Sequence, residues 1–286
     1  MGNDNGVIYY SVGAKCLTRL YVSIYSLRKI YPGPITILTE TGDPNVDALR
    51  RIADDMGCDA RPVRMKIPAG PKTVYLAKCR LHEFTPYEYS VFLDADTLVL
   101  RPFMLEMISA LNDHDFAITA FANWNTVGRI GKRINAWRPL YPQMIDAARD
   151  YGTAINYGVF AFRRRSRFMT ELYRHALPGR ELSRIPDETC CQLILPQYPH
   201  ALMSHWFNVS CRYDKPQSEE ARVVHYHGNK HCRISKGRYE FHSDLWYKAF
   251  GEVRDRIPGD WIAADRQLKI GLRAHDKVKT NTSATP

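Results

Sequence analysis

Short apolar runs alternate along this chain with segments whose apolar residues recur every three or four positions. Val7 to Tyr10 reads as a buried strand, and Leu17, Leu20, Tyr21, Ile24, Leu27 and Tyr31 follow at helical spacing until Pro32-Gly33-Pro34 stops the helix. Ile35 to Leu38 predicts a second strand, Asn45 to Met56 a second helix, Ala60 to Arg64 a short strand, and Lys72 to Phe84 a helix ending at Thr85-Pro86. Ser90 to Leu93 is a strand that runs into Asp94-Ala95-Asp96, and Thr97 to Leu100 resumes the apolar run. Phe103 to Leu111 predicts a helix and Phe116 to Ala120 a strand. This alternation predicts an α/β domain, with a mostly parallel sheet and helices on both faces.

Residues 123–151 break the rhythm, mixing Trp124, Trp137, Arg129, Lys132, Arg133 and Arg138 with Gly and Pro, as a functional insertion would. The pattern returns with a strand at Tyr157 to Phe162 and helices at Ser166 to His175 and Asp187 to Leu195. A last apolar strand runs from Ala221 to Tyr226. These boundaries divide the chain into a main domain over 1–230 and a basic, aromatic extension over 231–286. Thr280 to Pro286 is polar enough to be disordered.

The 40 basic against 30 acidic residues give +10, a charge that favours nucleotides, nucleic acid or a lipid surface without choosing among them. The seven cysteines include an adjacent pair, Cys190-Cys191, and no CxxC, which reads as reduced thiols in a reducing compartment. Val7 follows no charged-then-apolar leader, and no apolar run is long enough to cross a bilayer. A cytoplasmic protein without signal peptide or transmembrane helix is expected.

The acidic motif carries the chemistry. If the strand's period of two continues through it, Asp94 and Asp96 point to one side, at the carboxyl end of a strand, where open α/β sheets bind ligands. Like charges that close raise each other's pKa unless a cation neutralises them, and hard oxygen ligands suit Mg²⁺ or Mn²⁺. Such a metal can also hold a diphosphate leaving group. Asp-x-Asp alone is a weak signal, with roughly one chance match expected in such a chain. Asp113-His114-Asp115 is one, and reads as a polar turn with capping carboxylates.

Lys78 with the run Tyr89-Ser90-Val91-Phe92-Leu93-Asp94-Ala95-Asp96-Thr97-Leu98-Val99-Leu100 closely resembles glycosyltransferase family 8. Asn156-Tyr157-Gly158-Val159-Phe160, Asp187-Glu188 with Gln192, and Val223-Val224-His225-Tyr226-His227-Gly228-Asn229-Lys230 resemble three further blocks of that family, in order. The resemblance implies a GT-A nucleotide-diphospho-sugar transferase fold, a UDP-sugar donor, Mn²⁺ (or Mg²⁺) and retention of anomeric configuration. By matching position it implies Asp94, Asp96 and His225 as metal ligands and Lys230 on the donor diphosphate. Lys78, Asn156, Asp187 and Glu188 would surround the donor sugar, with Ala95, Gly158 and Gly228 lining the donor site. The chain departs from the family pattern at four places. Lys230 falls one residue closer to the glycine, His231-Cys232 replaces Pro-Trp, Glu188 stands where glutamine is usual, and Ser11-Val12-Gly13-Ala14-Lys15 follows the first strand.

A retaining reaction needs a carboxylate or amide opposite the leaving group, and Asp187 and Glu188 are the candidate catalytic residues. Glu188 can act as a nucleophile where an amide cannot. Each residue also has a plainer reading: Asp187 as an N-cap, Gly158 as a place without room for a side chain, Lys78 and Lys230 as surface lysines. His225, His227, His231, Cys232 and Cys211 could alternatively form a zinc site, although the spacing fits no standard pattern. The aromatics Trp246, Tyr247, Phe250 and Trp261, with nearby basic residues, fit either peripheral contact with an anionic membrane or packing on the main domain. The expectation is a metal-dependent enzyme moving a hexosyl unit from a UDP-sugar to a saccharide, lipid-linked or protein acceptor. A nucleotidyltransferase would need a glycine-rich loop after the first strand. A nucleic-acid-binding module would need a recognised motif or a stacking platform. An inactive sugar-binding relative sits poorly with an intact Asp94-Ala95-Asp96.

Overall fold

The computed structural model describes residues 4–70, 72–121, 133–212, 218–228 and 230–283. Trp124, Arg129 and Lys132 of the irregular stretch, Asn229 of the last block and residues 284–286 of the tail lie outside the described residues. The main-domain elements begin with β1 (Asn5–Tyr10), α1 (Leu17–Arg28), β2 (Ile35–Glu40), α2 (Val46–Met56), β3 (Asp59–Val63), α3 (Thr73–Lys78) and α4 (Leu81–Phe84). They continue through β4 (Tyr89–Leu93), β5 (Thr97–Val99), α5 (Met104–Ser109), β6 (Phe116–Ala120), α6 (Pro142–Tyr151) and β7 (Ile155–Arg163). Then come α7 (Arg167–Gly179), α8 (Pro186–Ile194), β8 (Ala201–Met203), β9 (Val209–Ser210) and β10 (Val223–His225).

The central sheet has seven strands in the order β3-β2-β1-β4-β7-β6-β8, and only β7 runs antiparallel to its neighbours. Alternation along each strand sends residues to opposite faces. Val7, Tyr9, Val91, Leu93, Ala117, Val159 and Ala161 enter one core with α1 and α2. Ile8, Tyr10, Phe92, Phe116, Ile118, Phe160 and Phe162 enter the other, with α3, α7 and α8. From β1 the chain builds outward through β2 and β3, then crosses back to place β4 on β1's other side. The carboxyl ends of β1 and β4 therefore flank the crevice where the strand order reverses, the usual ligand position in such sheets. A small second sheet, β5-β10-β9, continues from β4 and overlies that end.

Three expectations change. The helix predicted over Lys72 to Phe84 is two short helices with a turn at Cys79 and Arg80. At the break the Cys79 and Arg80 amides bond back three residues, to the Leu76 and Ala77 carbonyls at 3.1 and 2.9 Å, which closes the first helix in a tight turn. The second is the pleat through Asp94 and Asp96: β4 ends at Leu93, and the motif is a turn rather than strand. Third, Thr280–Ser283 continue a helix instead of ending it. Asp115 does what the plain reading of its turn predicts, accepting from the Arg167 and Phe168 amides at 2.6 and 3.3 Å and capping α7.

The C-terminal segment forms α9 (Ser243–Val253), α10 (Gly259–Ala264) and α11 (Arg266–Ser283). Trp246, Tyr247, Phe250 and Trp261 are buried in the same core as α1, which resolves their two readings in favour of packing on the main domain. No helix among the described residues is long and apolar enough to cross a membrane. Cys79, Cys190 and Cys191 are buried thiols. Trp246 is fully buried and stacks on Phe250 at 5.1 Å. Trp246→Ala is expected to cost about 3–5 kcal/mol. Chemical denaturation should read this as one cooperative transition at lower denaturant, because the extension and the main domain share a core.

Candidate functional site

The site is built on the turn after β4. The Asp94 amide is held by the Gly158 carbonyl at 2.9 Å, and the Thr97 amide and hydroxyl both donate to the Asp94 carbonyl, at 3.2 and 2.8 Å. Behind Thr97 lies a buried run of hydroxyls, with Ser23 Oγ 2.9 Å from Thr97 Oγ1 and Tyr9 OH 3.0 Å from Ser23 Oγ. Thr97 spends its one proton on the Asp94 carbonyl. Ser23 must therefore donate to Thr97, and Tyr9 to Ser23. The turn is thus fixed from the core outward, and it folds both carboxylates toward the crevice.

His225 arrives from 129 positions beyond Asp96 because β10 pairs antiparallel with β5, setting His225 opposite Thr97. His225 Nε2 lies 3.1 Å from Asp96 Oδ1 and 3.6 Å from Asp94 Oδ2. One donor atom from each of Asp94, Asp96 and His225 lies within 4.8 Å of the others. Two carboxylate oxygens and an imidazole nitrogen at that spacing are placed to hold a metal ion. Among the described residues this is the one group of three or more His, Cys, Asp or Glu side chains placed to hold an ion, and Cys211, His227, His231 and Cys232 are outside it.

Gly158 makes room for the histidine. A methyl there would lie 2.0 Å from His225 Cε1 and 3.0 Å from Asp94 Oδ2. Its amide donates to Asn156 Oδ1 at 2.9 Å, and Asn156 Nδ2 reaches His227 Nε2 at 3.3 Å. That bond makes His227 Nε2 an acceptor, consistent with a neutral ring. The His225 and His227 rings lie 4.0 Å apart.

Lys78 ends α3 and points inward, buried. Its Nζ is 3.1 Å from Asp94 Oδ1 and 3.4 Å from Asp187 Oδ2, above the rings of Phe92 and Tyr157. Asp187 and Glu188 occupy the first turn of α8. Asp187 Oδ1 is buried without a partner. Both Glu188 oxygens are engaged, Oε1 by Arg133 at 2.5 Å and Oε2 by the Tyr157 amide at 3.3 Å. Gly228 donates its amide to Asp96 Oδ2 at 2.8 Å. Ala95 lies half-buried within the turn, and Lys230 Nζ donates to the His227 carbonyl at 2.7 Å. Contacts thus join Lys78, Asp94, Asp96, Asn156, Gly158, Asp187, His225 and Gly228 to one another, whereas Glu188 and Lys230 bond to residues outside the predicted set.

The charges divide unevenly. Burial pushes the Asp94 carboxyl up, with Lys78 and His225 only partly offsetting it. Burial acts on Asp96 as well, but the neighbouring His225 outweighs it and holds that carboxyl below the usual range. Burial opposes the His225 imidazolium, and Asp96 overcomes it and raises the group. Burial and the adjacent His225 keep His227 well below its ordinary value. Asp187 is pushed up to about 6 by burial, against the pull of Lys78. A buried acidic pair that needs Lys78 and a charged histidine to ionise is one that a divalent cation would relieve.

No local sequence signal pointed to Arg19 or Asp265. Arg19 sits in α1 among buried apolar positions, and its NH1 donates to the Gly228 carbonyl at 3.2 Å. Gly158→Ala is expected to displace His225 and to cost about 1–3 kcal/mol by overpacking. Thermal denaturation, with the histidine ring resonances by NMR, checks both effects. A wild-type Tm with an unmoved His225 signal would contradict the packing described.

No model of a known protein family matches the sequence, and comparison with curated proteins finds no match. Solved structures do match. A crystal structure of mouse xyloside xylosyltransferase 1 superposes with a TM-score of 0.55 at 12% identity, covering 79% of this chain and 98% of that one. The galactosyltransferase LgtC, in complex with donor and acceptor sugar analogs, superposes with a TM-score of 0.60 at 13% identity, over 91% and 99% of the two chains. An active-site glutamine-to-glutamate mutant of LgtC gives 0.59 at 13% identity. What is shared at these identities is the backbone architecture, and the chain has the GT-A fold of these transferases.

Proposed function

We propose that this protein is a metal-dependent glycosyltransferase that moves a hexosyl unit from a UDP-sugar to an acceptor hydroxyl with retention of configuration. The observation that carries the reading is the Asp94, Asp96 and His225 cluster at the strand-order reversal of a GT-A fold, with Lys78 and Asp187 on its inner side. In this reading Asp94, Asp96 and His225 hold Mn²⁺ or Mg²⁺, which when bound neutralises the donor diphosphate. Gly228 has no side chain to bar the diphosphate, and Lys230, rotated from the His227 carbonyl, adds positive charge where the leaving group departs.

The sugar lies between that cluster and the first turn of α8. Lys78 and Asn156 orient its hydroxyls, and Gly158 keeps the floor low. The acceptor, a saccharide or a lipid-linked or protein-borne hydroxyl, approaches on the diphosphate side. The carboxylates of Asp187 and Glu188 stabilise the cationic sugar. Of the two, Asp187 has the uncommitted oxygen, Oδ1, whereas Glu188 is occupied by Arg133 and the Tyr157 amide. Asp187 is therefore the group assigned to the reacting carbon, and Glu188 the group that borders it.

Hydrolysis of a panel of UDP-sugars with Mn²⁺ tests the reading. One donor should be turned over, activity should vanish with a chelator and return with Mn²⁺, and Asp96→Asn should lower kcat at least about 100-fold. Metal-independent turnover, or a fully active Asp96→Asn, would sink it. A second experiment separates the carboxylates by mass spectrometry of protein quenched during turnover, alongside kinetics of Asp187→Asn and Glu188→Gln. Asp187→Asn should lose about 100-fold or more and Glu188→Gln much less. A sugar adduct on Glu188 would reverse the assignment.

A further inference from the structure

A buried chain of contacts runs from the C-terminal helices to the acidic cluster. Asp265 precedes α11, and its Oδ1 accepts from the Gln267 and Leu268 amides, both at 3.2 Å, which fixes the carboxylate to the helix start. Its Oδ2 receives Arg19 Nε at 2.8 Å and NH2 at 2.7 Å, and His231 Nε2 stands 3.6 Å away. The pair is almost wholly enclosed, with side-chain exposures of 10% and 3%. From the same guanidinium, NH1 donates to the Gly228 carbonyl, and the Gly228 amide donates to Asp96 Oδ2. The turn so held is an unusual one. His227 and Gly228 have φ of 28° and 75°, two successive left-handed residues, the first of them not glycine. Such a turn persists only where its surroundings hold it.

We propose that the C-terminal helices complete the metal site, with Asp265 and Arg19 as positioning residues that hold the His227-Gly228 turn against Asp96. This rests on the metal role proposed above for Asp94, Asp96 and His225. Planar guanidinium geometry is central to it. Arg19 spans Asp265 with two nitrogens and Gly228 with the third, whereas a lysine in its place has one point of charge and can serve only one of them. The extension is thereby more than a cover for the apolar face of α1, because one of its carboxylates sets the orientation of a ligand through two intervening groups.

The test is Mn²⁺ binding by the full chain, read from the free Mn²⁺ signal in electron paramagnetic resonance, below the unfolding transition of every variant. Asp265→Asn and Arg19→Lys should each weaken Mn²⁺ binding about tenfold, as loss of a group supporting a ligand usually does. Leu268→Ala, in the same helix and fully buried, should lower Tm comparably while leaving the Mn²⁺ affinity within about twofold of wild type. If Asp265→Asn fails to fold, Arg19→Lys, which keeps the charge, carries the test with Leu268→Ala. Wild-type affinity in Arg19→Lys, or an equal loss in Leu268→Ala, overturns the positioning role alone. Wild-type protein that binds no Mn²⁺, or binds it equally after Asp94→Asn, overturns the metal reading as well.

Discussion

Two carboxylates held against each other at the end of a buried strand are the constraint around which this molecule is arranged. Asp94 and Asp96 would repel and take up protons if left alone, yet Asp96 is held strongly acidic. The compensation comes from three directions: His225 across the small sheet, Lys78 from the end of α3, and the Gly228 amide from the turn beyond β10. Each depends on a local feature of the chain. α3 stops where Lys78 must turn inward, β7 has glycine where His225 must pass, and the chain after β10 enters left-handed conformations to aim an amide.

The proposed reaction gives the crevice a polarity. In that reading Asp94, Asp96, His225 and the basic Lys230 face the diphosphate, and Lys78, Asn156 and the two acids of the first turn of α8 face the sugar. Asp187 and Asp94 share one buried lysine, so the two sides are linked through a single ammonium. In the proposed reaction this sharing lets the acid nearest the sugar stay ionised at neutral pH although burial pushes it up to about 6.

The irregular stretch and the C-terminal helices both touch this centre from outside the regular βα pattern. Arg133 ties the stretch to Glu188, a contact between opposite charges that a glutamine in its place could not make. Arg19 and Asp265 tie the C-terminal helices to Gly228 in the same manner.

The sequence by itself determined the α/β alternation. Short apolar runs in Val7 to Tyr10, Ser90 to Leu93 and Tyr157 to Phe162 mark buried strands, and that information is local. The blocks around Asp94, Asn156, Asp187 and His225 were legible through their resemblance to one transferase family, each being a short local run. What only the tertiary structure decided depends on contacts between distant segments. Asp94 and Asp96 converge by a turn pinned through Thr97, Ser23 and Tyr9, not by strand pleat. The helix at Lys72 to Phe84 breaks at Cys79 and Arg80, whose amides bond back three residues, and no glycine or proline lies there to signal it. The aromatics of the extension face α1 rather than a lipid surface, a choice that composition leaves open because both partners are apolar. Arg19 and Asp265 carried no local signal at all: a lone arginine in an amphipathic helix and a lone aspartate before another become a buried pair only when 246 residues of chain bring them together.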